Sequence, residues 1–129
     1  GYLDSAARGA GRDGQRAHDD RYGVAEEYMD VVYALWEGSW ADDAVVRDRE
    51  RGIYTRPERV RAIDHRGEHF RVNAIHLGEP SPQRTPVLYQ AGTSPAGRAF
   101  AGRHAECVFI SGPSKKIVAE RVAGIRRAA

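Results

Sequence analysis

The stretch Pro86-Val87-Leu88-Tyr89-Gln90-Ala91-Gly92, continued by Thr93-Ser94-Pro95-Ala96-Gly97, decides how the chain is read. Its first half is a short apolar run bounded by proline and glycine, the pattern of a buried strand. Its second half turns into a helix. Ser94 suits the N-cap, and Pro95 suits the first helical position, where no amide donor is needed. This helix is predicted to run to about Arg103. Glu106-Cys107-Val108-Phe109-Ile110-Ser111 then reads as a second buried strand. Ser114 to Arg127 reads as a second helix, with Ile117, Val118, Val122 and Ile125 on one face. Strand, helix, strand, helix with short connections predicts an α/β arrangement over 86–129, its strands paired in parallel through a right-handed crossover.

Upstream of this unit, Pro80, Pro82 and Pro86 mark an extended connector, because proline cannot donate to a helix or a central ladder. Residues 39–85 read as an insertion. Within it, Asp64 to Gly67 is expected to turn, and Phe70 and Val72 alternate outward as one arm of a hairpin. Asp42 to Arg51 fits a short helix, with Trp36 and Trp40 covering its approach. A longer helix is predicted over 19–38. Val24, Tyr28, Val31, Val32 and Leu35 recur there at three- and four-residue spacing, Asp19 and Asp20 favour its N-terminal end, and Gly38 stops it. Residues 1–18 are rich in Gly, Arg and Asp without apolar period and read as loop.

Composition narrows the function classes. At 129 residues the chain is one domain's worth, and 41% hydrophobic with 29% charged residues excludes full disorder. A net charge of +2 gives no nucleic-acid footprint, and Arg121 to Arg127 reads as the polar face of the last helix. The apolar runs are far too short to span a bilayer, no signal-peptide pattern is visible, and a cytoplasmic location is expected. The chain opens on Gly1, so a missing N-terminal portion is expected. Cys107 stands alone and cannot form an intrachain disulfide; it reads as a packing residue of the second strand. His65, His69 and His76 are spaced by four and then seven around Gly67, which does not match a helical zinc motif. They read as solvated hairpin histidines, and no metal is expected. His104 reads as the end of a helix, where a cation is favoured.

The strongest chemical feature is the turn itself. Backbone amides and the helix dipole at such a terminus attract phosphate, Gly92 allows close approach of a ligand, and the Thr93 and Ser94 hydroxyls add donors. The same residues also fit an ordinary capped helix with no ligand. Gly-x-x-x-x-Gly-Lys-Ser/Thr is absent, and no Gly-x-Gly-x-x-Gly follows a strand.

Ordered segments along nearly the whole chain carry a resemblance. They are Tyr2-Leu3-Asp4-Ser5-Ala6-Ala7-Arg8, His18-Asp19-Asp20-Arg21-Tyr22, Leu35-Trp36-Glu37-Gly38-Ser39-Trp40, Ile63-Asp64-His65-Arg66-Gly67-Glu68-His69-Phe70, Ser81-Pro82-Gln83, the 90–97 turn, and Ala105-Glu106-Cys107-Val108-Phe109. Together they resemble the flavin-dependent monooxygenases of the nitrilotriacetate and dibenzothiophene-sulfone type, in the bacterial luciferase-like group. The chain departs from that pattern at Gly9-Ala10, where the family has Asn-Phe, and at Gly23, where an acidic residue is usual.

The resemblance implies a (β/α)8 TIM barrel, of which this chain is a partial, central segment, since a whole barrel takes about 250 residues. It implies reduced FMN supplied by a separate flavin reductase, and dioxygen forming a flavin C4a-peroxide that oxygenates a small sulfur- or nitrogen-containing organic substrate. It also implies homo-oligomers in the full-length family. By the same resemblance His18 and Tyr22 lie near the flavin and Ser94 holds its phosphate, with Gly92 and Thr93 adjacent by motif position; no catalytic residue is assigned. His18 and Tyr22 are spaced to share one side of a helix start. The alternative expectation is a catalytically inactive α/β module that binds phosphate or a protein partner.

Overall fold

Val31 and Val32, both buried, anchor a helix that runs from His18 to Tyr33 (α2) and widens into a π-helical turn at Ala34–Gly38. The computed structural model describes residues 3–129. Tyr28, expected on the buried face, is 53% exposed. The π-turn delivers Ser39 and Trp40 into the interior. Ser39 Oγ accepts the His76 amide at 3.0 Å, and Trp40 Nε1 donates to the His76 carbonyl at 2.8 Å. The Arg84 guanidinium donates to the Trp40 carbonyl at 2.7 Å. Two consecutive residues thus tie the end of α2 to the connector that leads into the C-terminal unit.

The expected loop over 1–18 is corrected by a short helix, α1, at Asp4–Gly9; residues 1 and 2 lie outside the described residues. Asp4 sits in its first turn, and Asp4 Oδ1 accepts the Gln15 amide at 3.0 Å. A helix of one and a half turns is too short to show a 3.6-residue period, which hid it in the sequence.

The short helix expected from Asp42 to Arg51 is instead a hairpin. Strand β1 (Val45–Asp48) pairs antiparallel with β2 (Ile53–Thr55). Gly52, at φ 68°, supplies the left-handed backbone of its turn, and Arg47, at φ 53°, sits where the register shifts. A one-turn 3₁₀ helix follows at Pro57–Arg59. The second hairpin is present as expected, but its turn is displaced. Strand β3 (Ile63–Arg66) pairs with β4 (Arg71–Ala74) in the register Ile63↔Ala74 through Arg66↔Arg71. The reversal therefore falls at Gly67 to Phe70 and not at Asp64 to Gly67, with the Gly67 amide donating to the Phe70 carbonyl at 2.9 Å.

In the last third the predicted order holds: β5 (Tyr89–Gln90), α3 (Pro95–His104), β6 (Cys107–Val108) and α4 (Lys115–Arg126), with β5 and β6 parallel. The strands are two residues long, shorter than the apolar runs that mark them. They are also less covered than expected, with Val87 50%, Tyr89 74% and Phe109 70% exposed. The chain exposes 9238 Å², against about 6,800 Å² for a self-contained monomer of this mass. Its fully enclosed positions are small, Ser39, Ala44 and Ala101. The result is a mixed α/β structure whose sheets, among the described residues, are three separate two-stranded pairs.

Candidate functional site

Helix α3 begins as its sequence dictates. Ser94 has extended backbone, its Oγ accepts the Gly97 amide at 3.0 Å, and Pro95 opens the first turn. The Arg98 guanidinium donates back to the Thr93 carbonyl at 3.1 Å and fixes the approach to the cap. Two glycines let this turn close onto α2. A Cβ on Gly92 would lie 3.0 Å from the Tyr22 hydroxyl and 3.3 Å from Gly97 Cα. One on Gly97 would lie 2.6 Å from the same hydroxyl. Side chains at either position would push Tyr22 away, so the close seating of Tyr22 on the turn depends on both. His18 stands one turn earlier on α2, its ring 5.4 Å from that of Tyr22, with Nδ1 2.7 Å from Asp19 Oδ1. His18, Tyr22, Gly92, Thr93 and Ser94, 70 residues apart in sequence, are therefore brought into one neighbourhood. The first turn of a helix offers amides without intrahelical acceptors, and Ser94 can still donate its O–H.

Behind this turn lies a cluster that the sequence did not announce. The Tyr22 ring is 5.7 Å from Phe100, and Phe100 is 4.6 Å from His104. His104 lies 3.0 Å through Nδ1 from the Tyr33 hydroxyl and 2.8 Å through Nε2 from Glu26. Its side chain is 9% exposed, so it is far more than a cation at a helix end. Burial, and then the carboxylates of Glu106, Glu26 and Asp30, push the Tyr33 hydroxyl above its ordinary pKa of 10. The spacing Phe100/His104 on α3 and Glu26/Tyr33 on α2 was the available signal, since residues four or seven apart share a face.

The other side of α2 carries a second histidine–carboxylate pair. Glu27 accepts from His65 Nε2 at 3.0 Å and from the amides of His69 and Phe70 at 2.8 and 2.7 Å. Partial burial acts to raise its pKa, but the bonds from His65, His69 and Phe70 outweigh it and bring the value down to about 2. This corrects the reading of His65 as a solvated hairpin residue, since its side chain is only 20% exposed. The His76 ring is engaged elsewhere, with the Gly78 carbonyl, so it stands apart from the Glu27 group that His65 and the His69 amide join. Clefts of about 410 Å³ along the β3–β4 hairpin and about 470 Å³ between Arg16, Asp20 and His69 lie apart from the Ser94 turn.

Comparison with known proteins bears on what this neighbourhood serves. The family profile described as luciferase-like monooxygenase matches residues 5–129. A long-chain alkane monooxygenase of Geobacillus thermodenitrificans (strain NG80-2) is 52% identical over 128 residues, covering 99% of this chain and 29% of that protein. A dimethyl-sulfide monooxygenase of Hyphomicrobium sulfonivorans is 54% identical over 109 residues, covering 84% and 23%. The crystal structure of a riboflavin lyase with modified FMN and riboflavin superposes with a TM-score of 0.85 at 46% identity, covering 98% of this chain and 28% of that one. The chain thus spans under a third of the length of the curated relatives it matches. Its parallel β5–α3–β6 unit and small sheets are a partial α/β segment of the TIM-barrel architecture of those proteins. Matched over almost its whole length, the chain belongs to the luciferase-like monooxygenase family.

Proposed function

We propose that this chain forms the flavin-phosphate side of an FMN-dependent, two-component monooxygenase that oxygenates a small sulfur- or nitrogen-containing organic substrate. On this reading it works in the cytoplasm as part of a homo-oligomer, with reduced FMN delivered by a separate flavin reductase. The observation that carries the proposal is the α3 turn, where Ser94 caps the helix while Gly92 and Gly97 admit the Tyr22 hydroxyl. The residues present fit FMN. Ser94, Thr93 and the Ala96 amide, the first-turn N–H left after Pro95 and the Gly97–Ser94 cap bond, are donors of the kind that hold a phosphate. The Tyr22 phenol meets the turn, and the His18 imidazole stands beside Tyr22. The Asp19 carboxylate accepts from His18 Nδ1–H, which in the neutral ring leaves Nε2 as an acceptor. When bound, reduced FMN supplies the oxygen-activating chemistry; the protein's part is to hold and orient it. The modified FMN in the related riboflavin lyase structure supports the cofactor, and the dimethyl-sulfide relative supports a sulfur-containing substrate.

The test is a fluorescence titration of the 129-residue chain with FMN and with riboflavin, which lacks the phosphate. FMN is expected to bind at least about tenfold tighter, as charge-assisted phosphate contacts require. Ser94→Ala is expected to remove much of that preference while leaving riboflavin binding in place. Equal affinity for the two flavins overturns the phosphate role. Binding of neither favours the inert α/β module. NADH-driven oxygenation of dimethyl sulfide with an added flavin reductase tests the reaction itself.

A further inference from the structure

We infer that His104 is a positioning residue for the phosphate-holding turn, an inference that rests on the flavin reading above. His104 is the last residue of α3, and Ser94 caps the first turn of the same helix. At ten residues α3 is about 15 Å long, so fixing its far end on α2 fixes where its first turn meets Tyr22. Both ring nitrogens of His104 are held by α2. A carboxylate only accepts, so Nε2–H donates to Glu26; in the neutral ring Nδ1 then accepts from the Tyr33 O–H. The same ring packs on Phe100, Phe100 packs on Tyr22, and the Tyr22 hydroxyl is the group that Gly92 and Gly97 make room for. Three ring side chains, His104, Phe100 and Tyr22, thus run from the α3 C-terminus back to the turn. Arg103 also reaches Glu26, at 2.8 Å, but it is 63% exposed and contributes little. His104, whose side chain is only 9% exposed, therefore carries the coupling without itself touching the proposed ligand site.

A merely structural clamp between α2 and α3 would weaken every ligand alike. A positioning residue changes the phosphate preference. The experiment measures FMN and riboflavin dissociation constants, with thermal melting, on the 129-residue chain. His104→Phe keeps the ring packing and removes both hydrogen bonds; it is expected to lower the FMN-to-riboflavin preference about fivefold, the worth of one ordinary hydrogen bond. His104→Gln, which can still donate to Glu26 and accept from Tyr33, is expected to restore most of it. An unchanged preference in His104→Phe, whatever happens to the melting temperature, overturns the inference. If His104→Phe does not fold, Tyr33→Phe carries the test, with an expected loss of about twofold, and an unchanged preference there overturns it equally. Ser94→Ala separates the two readings. A preference unaltered in Ser94→Ala defeats the flavin-phosphate reading itself. A preference lost in Ser94→Ala but kept in the His104 variants defeats the positioning role alone.

Discussion

Glu26 and Glu27 are neighbours on α2, and each meets a histidine from a distant part of the chain, yet the two pairs do different physical jobs. Glu27 collects three donors, two of them backbone amides at the turn between β3 and β4. A carboxylate that binds consecutive amides specifies one backbone conformation, so this side of α2 fixes the shape of a hairpin. Glu26 binds only side chains, His104 and Arg103. A carboxylate that holds a ring on another helix specifies where two helices sit relative to each other. The first kind of contact belongs to local stability. The second is transmitted through Phe100 and Tyr22 to the Ser94 turn. Variants on the Glu27 side should therefore cost stability without altering flavin preference, and variants on the Glu26 side should do the reverse.

The largest effect is expected from Gly67→Ala. A Cβ there would lie 2.0 Å from Glu27 Oε1 and 2.7 Å from His65 Nε2. Glu27 is held by three partners and cannot move aside without releasing them. Overpacking of this kind is expected to lower the melting temperature by more than about 5 °C, with the FMN-to-riboflavin preference intact. Melting at the wild-type temperature would break the claim that the hairpin is held tightly on α2.

Glu27→Gln is expected next in size. The substitution leaves one acceptor oxygen where the carboxylate had two, and one of the turn amides loses its partner. Its signature is in pH. Glu27 titrates at about 2 in the folded chain, against an ordinary 4.5. The folded state therefore holds the ionised form more strongly than the unfolded state does. The resulting stability is fully present above about pH 4.5 and is lost as pH falls toward 2. Melting temperatures measured across that window should fall steeply in the wild-type chain and less steeply in Glu27→Gln. Parallel curves would show that another group dominates the acid response.

The same contrast explains what could be read from sequence. The β5–α3–β6–α4 order was legible because Ser94-Pro95 is a local helix-start signal and the apolar runs at 87–89 and 107–110 are continuous. His18, Tyr22 and Ser94 entered as candidates because they sit in segments with family-like spacing, and the fold does bring them together. The turn of the second hairpin was misplaced because its position is set by Glu27, some 40 residues earlier, and not by Asp64 or Gly67 alone. The β1–β2 hairpin was hidden because Arg47 adopts a left-handed backbone that no residue-type rule assigns to arginine. His104 was undervalued for a related reason. Its partners Glu26 and Tyr33 lie more than 70 residues away, and no local pattern marks a ring held at both nitrogens.

The smallest effect, and the one that isolates the Glu26 side, is expected from Glu26→Gln. Glutamine keeps an oxygen that can accept from His104 Nε2, so the melting temperature at neutral pH should change by less than about 2 °C. What changes is charge. Tyr33 is held above its ordinary value first by burial and then by Glu106, Glu26 and Asp30. A tyrosine whose folded pKa is raised contributes stability that is present below pH 10 and lost as pH rises through the folded value. Removing the Glu26 charge lowers that value without removing the burial, so phenolate absorbance of Tyr33 should appear at lower pH in Glu26→Gln, isolated by difference against Tyr33→Phe. Alkaline loss of stability should begin at the same pH, near 10, and be smaller in total, because the interval between the unfolded and folded values has narrowed. Glu27→Gln, on the adjoining face of the helix, should leave the Tyr33 titration where it was. If both variants move it alike, the two faces of α2 are one electrostatic unit and the division drawn between them fails.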